Sequence, residues 1–243
     1  MDISKYIEFS LLKPTTTERE IINLCNQAIK NNFYSVCVNS SYVSLSKQLL
    51  EKTDINVSAV IGFPLGAMST TSKVFEAKKA IENGASEIEM VINLGFLKSK
   101  NYVSVLKDIS DVKLAIGRIP LKVIIEISEL SKNEIIKACE ISLDAKADYI
   151  STSTGYSKNG ATLTAVKIIK KTIENNCKIK AYGSINDLET ALKFIESGAD
   201  IIGSTTPIKD LTKIKITKST QLYKKYLEAQ KKNEMALAAK LKH

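Results

Sequence analysis

Residues 147–156 read Ala147-Asp148-Tyr149-Ile150-Ser151-Thr152-Ser153-Thr154-Gly155-Tyr156. The run from Tyr149 to Thr154 is rich in β-branched and aromatic residues and is closed by Gly155, the pattern of a short buried strand. Comparable runs lie on either side, roughly 25–30 residues apart, with segments of helical period between them. They are Ile7–Leu12, Ser35–Asn39, Asn56–Phe63, Glu87–Asn93, Leu121–Ile127, Lys178–Ser184 and Ile201–Thr205. Eight strands alternating with helices in a chain of 243 residues fit an α/β fold closed into a (β/α)8 TIM barrel better than an open sheet.

The helix starts carry the same rhythm. Thr15-Thr16-Thr17-Glu18 after Pro14, Ser131-Lys132-Asn133-Glu134 and Asn186-Asp187-Leu188-Glu189 have capping-box spacing; their side chains would satisfy amides that a first helical turn leaves unpaired. Apolar positions three and four apart follow them, a core-facing stripe. After Pro207 the pattern breaks: Lys209–Lys218 is lysine-rich, and Gln221–Leu241 reads as a helix. The organisation is therefore one barrel over residues 1–206 and a lysine-rich segment with a C-terminal helix over 207–243, expected to pack on the barrel rather than project from it.

Composition narrows the function classes. Hydrophobic residues make up 44% and charged residues 25%, the balance of a soluble domain with a sizeable core. No apolar run approaches the ~20 residues of a membrane span, and the N-terminus lacks a signal-peptide pattern. Cys25, Cys37, Cys139 and Cys177 form no Cys-x-x-Cys pair, and the one histidine is His243, so no metal site is expected. Reduced cysteines suit a cytoplasmic protein. The net charge of +9 comes almost wholly from lysines scattered among glutamates, without the arginine forks and aromatic platforms of nucleic-acid recognition. An anionic small substrate would still benefit from such a field.

Seven segments then resemble one family when taken together: Ile7–Pro14, Val36–Asn39, Val60–Thr71, Gly84–Lys98, Leu121–Glu126, Ser151–Tyr156 and Lys180–Ile185. They are similar to the strand ends of deoxyribose-phosphate aldolases, over about residues 1–206. The resemblance implies a cofactor-free class I aldolase that cleaves 2-deoxy-D-ribose 5-phosphate to glyceraldehyde 3-phosphate and acetaldehyde. In that family a neutral lysine attacks the carbonyl, and the iminium acts as electron sink. A second lysine lowers the pKa of the first by like-charge repulsion, and a carboxylate relays protons. Homodimers are common in the family.

Carried over by position, the nucleophile is Ser151, the second lysine is Lys180, and the carboxylate is Glu89 in place of aspartate. Glu8 and Phe9 stand for an aspartate and a histidine at the first strand end. The resemblance assigns substrate contacts to Cys37, Lys122, Thr152, Gly155, Gly183, Ser184, Gly203, Ser204 and Thr205. Within the phosphate cradle, Ser184 replaces a glycine, Asn186 an arginine, and Pro207 a glycine.

A serine hydroxyl forms no iminium. The substitutions cluster at the mouth while the strand bodies are retained, which describes a barrel released from the aldolase reaction by divergence or by design. Four readings follow. The family reaction is lost or severely impaired; Lys180 takes over as nucleophile; Ser151 attacks with Lys180 as its base; or the barrel binds a phosphorylated or other anionic small molecule, or serves as a scaffold. The first and last agree best with the residues. Without a cation at position 151, Lys180 loses the repulsion that would keep it neutral, and Glu89 stands equally well as its ion-pair partner.

Overall fold

The computed structural model describes residues 2–206, and in it eight parallel strands close on themselves in chain order. They are β1 (Ile7–Leu11), β2 (Ser35–Asn39), β3 (Asn56–Ile61), β4 (Glu87–Val91), β5 (Leu121–Ile124), β6 (Tyr149–Ser151), β7 (Lys178–Tyr182) and β8 (Ile201–Ser204). Closure runs through Ile7 beside Ile202, Glu8 beside Gly203 and Phe9 beside Ser204. Every strand begins where the sequence places it, and β2 also ends there. The other seven end one to three residues sooner. At the mouth, side chains add to the backbone bonds: Thr152 N donates to Lys180 O at 3.1 Å, and its hydroxyl accepts from Tyr182 N at 3.0 Å and donates to Tyr182 O at 3.3 Å.

Helices return the chain from each strand to the next: α1 (Glu18–Asn31), α2 (Val43–Leu50), α3 (Thr70–Glu82), α4 (Leu94–Lys98) with α5 (Tyr102–Ile116), α6 (Lys132–Asp144), α7 (Leu163–Ile173) and α8 (Leu188–Glu196). They bury one stripe each against the strands, such as Ile21, Leu24, Cys25 and Ala28 on α1. All four cysteines are free and buried. Between the helices and β4, the ammonium of Lys73 is fully buried; it donates to Val91 O at 2.9 Å and to Asp108 at 2.5 Å, tying α3 and α5 to the strand end.

One capping box stands where the sequence puts it, and two starts differ. Ser131 accepts from Glu134 N at 3.4 Å while Glu134 accepts from Ser131 N at 2.7 Å. The α1 box uses Thr17 and Glu20 rather than Thr15 and Glu18, because the chain makes one further turn, Thr16 N to Lys13 O, before the helix begins. At α8 the cap is Asp187, which accepts from Thr190 N at 2.8 Å. Ser131→Ala should lower stability by about 1 kcal/mol, the usual worth of such a cap; chemical denaturation showing no change would refute that role.

The segment 207–243, read as lysine-rich with a packed helix, lies outside the described residues. Among the described residues no helix is long and apolar enough to cross a membrane.

Candidate active site

The interior of this barrel is charged. Because side chains alternate along a strand, Glu8 on β1, Glu87 and Glu89 on β4, Lys122 on β5 and Lys180 on β7 all point to the barrel axis, where they form one chain of ion pairs. Lys122 pairs with Glu87 at 2.7 Å and with one oxygen of Glu8; Lys180 pairs with the other oxygen of Glu8 and with Glu89 at 2.5 Å. The Ser35 hydroxyl donates to Glu8 at 2.8 Å, the Tyr34 hydroxyl donates to Glu87, and the Cys37 thiol lies 3.5 Å from Glu89. All five charged groups are buried.

Three carboxylates therefore share two ammonium groups, and this sets the protonation states. Burial alone would raise the Glu8 carboxyl, but Lys122 and Lys180 outweigh it and hold the group down at about 2. Burial alone would make Lys180 easier to deprotonate, yet Glu8 and Glu89 hold its pKa above the ordinary lysine value. Lys122 is held up in the same way by Glu8 and Glu87 against burial. Burial pushes the Cys37 thiol well up. Lys180 is thus an ammonium ion at neutral pH, without a lone pair for a carbonyl.

Ser151 ends β6 directly beside Lys180 on β7, so the two side chains share the inward face. Its hydroxyl is buried and has no hydrogen-bond partner among the described residues; the same holds for Oε1 of Glu89. Lys180, its neighbour and the candidate base, is already committed to Glu8 and Glu89.

Above this layer stands an aromatic ring. Tyr182, at the end of β7, packs with Leu12, Cys37 and Val60, and Phe63 leans on the group. The ring is only 4% exposed, and the Lys180 ammonium lies 5.1 Å below its centre. On the outer side of the ring a cavity of about 520 Å³ opens at the mouth, lined by Gly155, Gly183, Ser184, Gly203, Ser204 and Thr205 among others. The structure thus gathers the sequence-derived residues into two groups, one buried at the axis and one lining the mouth. The six cradle residues line that cavity, and Ser151, Lys180, Glu89, Lys122 and Cys37 do not; Gly203 borders both groups, since a Cβ there would stand 3.0 Å from Lys180 Cε. Thr152 belongs to neither, because its hydroxyl clamps the backbone of Tyr182.

Several local features shape the upper cavity. Ser184 holds φ +63°, a left-handed conformation natural to glycine. Gly160 and Gly183 pack backbone to backbone, so that a Cβ on Gly160 would stand 2.5 Å from the Gly183 carbonyl. The Ser204 hydroxyl is spent within its own loop, donating to Thr206 O at 2.6 Å. Glu126 accepts from Thr154 N at 3.1 Å and fixes the loop after β6; burial raises its pKa. Lys13 and Lys158 are the lysines in the lining, and Lys158 is 3.9 Å from Glu129. The amino end of α8, a natural anion site, carries the carboxylate of Asp187.

Sequence reasoning passed over Glu87 and Tyr182. The signal for Glu87 was its alternation with Glu89 on one strand; for Tyr182 it was the bulk of a tyrosine two residues after a site lysine. The ligand atoms of Glu8, Cys37 and Glu89 also come within 4.8 Å of one another. The ammonium of Lys180 already serves as the cation for both glutamates, so a metal ion would have to displace it.

Residues 10–203 match the family described as DeoC/LacD family aldolase. The deoxyribose-phosphate aldolase of Finegoldia magna is 52% identical over 209 residues, covering 86% of this chain and 98% of that protein. That of Mycoplasma capricolum is 44% identical over 211 residues, covering 87% and 95%. Among solved structures, an aldolase called QR15 superposes with a TM-score of 0.82 at 40% identity, covering 84% of this chain and 92% of its own. The deoxyribose phosphate aldolase of Aeropyrum pernix, described as a unique tetramer, gives 0.80 at 30% identity, covering 88% and 91%.

Proposed function

Since this chain belongs to the DeoC/LacD family of aldolases, we propose that it is a deoxyribose-phosphate aldolase-like barrel in which the Schiff-base reaction is lost or severely impaired. The observation that carries this reading is the pair at the end of β6 and β7: a buried serine at position 151 beside a Lys180 that two glutamates keep protonated. The family route needs a neutral amine to attack an aldehyde and a carboxylate placed to move protons. Ser151 supplies no nitrogen, and Lys180 supplies none with a free lone pair. Glu89 is bound to Lys180 and stands as its counter-ion. The extra methylene of a glutamate moves the carboxylate by ~1 Å relative to an aspartate, a displacement that is costly in catalysis.

What this reading leaves to the protein is the mouth. A cavity of about 520 Å³ with two lysines and a glycine-bearing floor suits a phosphorylated aldehyde or sugar, or another small anion. The backbone amides around Gly183 and Ser184 would hold the anionic end, with Lys13 and Lys158 adding positive field. The reading includes a cytoplasmic setting, in keeping with four free, buried cysteines, and a homodimer.

Borohydride trapping with 2-deoxyribose 5-phosphate or acetaldehyde tests the chemistry. Peptide mass mapping should find no adduct on Lys180 under conditions that fully trap an active aldolase. Surface lysines alkylate slowly and act as the internal reference. Stoichiometric modification of Lys180 would sink the proposal and make the chain an aldolase with a relocated nucleophile. In parallel, 2-deoxyribose 5-phosphate should raise Tm in a concentration-dependent way if the mouth binds it; no shift at millimolar ligand would favour the scaffold role.

A further inference from the structure

We infer that the ring of Tyr182 is a plug that separates the outer ligand cavity from the buried charged centre of the barrel. It thereby decides which ligands this mouth can accept. The inference rests on the reading above that the mouth binds a small molecule, and it adds the residue that sets the depth of that site.

Three independent contacts describe the plug. From the sides, Leu12, Cys37 and Val60 close around the ring and Phe63 seals the edge. From below, the Lys180 ammonium sits 5.1 Å from the ring centre, an attraction that draws cation and ring together. From behind, Thr152 and Ala161 both hydrogen-bond the Tyr182 backbone, so the side chain leaves a fixed anchor.

The neighbouring backbone is shaped for the ring. A Cβ on Gly203 would lie 2.4 Å from Tyr182 Cδ2, and one on Gly155 would lie 2.9 Å from Tyr182 Cε1. These two glycines give the ring its space. A ligand entering the mouth therefore comes to rest on the tyrosine face and edge and stops short of Lys180 and Ser151. Below the ring, Ser151 Oγ and Glu89 Oε1 are buried polar atoms with no protein partner among the described residues, and neither residue lines the outer cavity. Such a floor selects short, flat or phosphate-anchored ligands over an extended open-chain sugar that must thread its carbonyl down the axis.

Cys37 reports on the seal, since its thiol lies between the ring cluster and Glu89. The experiment compares iodoacetamide labelling of each cysteine, resolved by peptide mass mapping, in the native chain, Tyr182→Phe and Tyr182→Val. Valine, like tyrosine, is a residue that strands favour, and it removes the ring. Labelling of Cys37 should rise at least about tenfold in Tyr182→Val and stay at the native rate in Tyr182→Phe, while Cys25, Cys139 and Cys177 remain slow in all three. An unchanged Cys37 rate in Tyr182→Val would overturn the inference. So would an equal rise at all four cysteines, because the ring would then hold the whole fold rather than one door. A borohydride adduct on Lys180 that appears only in Tyr182→Val would support the plug and sink the reading of Lys180 as a protonated bystander, so the two failures are distinguishable.

Discussion

Replacing Lys122 with methionine is expected to destabilise the fold by about 3–5 kcal/mol at pH 7, the usual result of removing one partner from a buried ion pair. Methionine nearly matches the volume of lysine, so the loss is electrostatic rather than steric. Lys122 donates to Glu8 and to Glu87, and all three groups are buried. Without it, Glu87 keeps only the Tyr34 hydroxyl and Glu8 keeps Lys180 and Ser35. Set against a typical total stability of roughly 5–15 kcal/mol, that loss brings the domain near unfolding. Urea denaturation measures it, and a change below about 1 kcal/mol would show that the network relaxes without its central cation. Adding Glu87→Gln, which still accepts from Tyr34, should recover part of the loss. The double variant should cost less than the sum of the singles, because the two side chains share one interaction.

Acidification should produce the second large effect, through Glu8. Its folded pKa of about 2 is depressed from an ordinary value of 4.5. A depressed carboxylate contributes stability that is fully present above the unfolded value and is lost as pH falls through 4.5 toward 2. The size of the shift corresponds to roughly 3 kcal/mol. Urea midpoints measured at pH 7, 4.5 and 3 should show most of the decline below 4.5, and Glu8→Gln should start less stable at pH 7 but decline less steeply. Parallel acid limbs in the two proteins would exclude Glu8 as the source. Both experiments address the same device: one carboxylate placed between two ammonium groups in the centre of the barrel.

The barrel was legible because each of its units is local. A β-branched run such as Ser35–Asn39 or Tyr149–Ser151 and a cap such as Ser131 are written in consecutive residues, and eight of them in this rhythm leave few topologies open. The overrun of the strand ends had a local cause too. Thr152 has strand propensity and its backbone still bonds Lys180 and Ile127, but the next residues turn aside, where the Thr154 amide and hydroxyl bond Glu126 rather than a strand. The two misplaced caps reflect the same competition, since each stretch offers several hydroxyl or carboxylate residues and only the chain path selects one.

The charged centre was legible only in part. That Lys180 would lose a repelling neighbour followed from Ser151 alone. That it would gain two attracting ones, Glu8 from β1 and Glu89 from β4, required knowing which side chains meet across the axis. Glu87 looked like an ordinary strand residue until Lys122 was found against it.

By itself, then, the sequence determined the family, the closed barrel and the absence of a nitrogen at position 151, because each of these depends on residue identity or on patterns within a few residues. Only the tertiary structure decided that Lys180 is paired with two buried glutamates and that the Tyr182 ring packs over its ammonium. Both depend on side chains from strands up to 172 positions apart in the chain converging on one axis. There, burial strengthens the interactions between the charges.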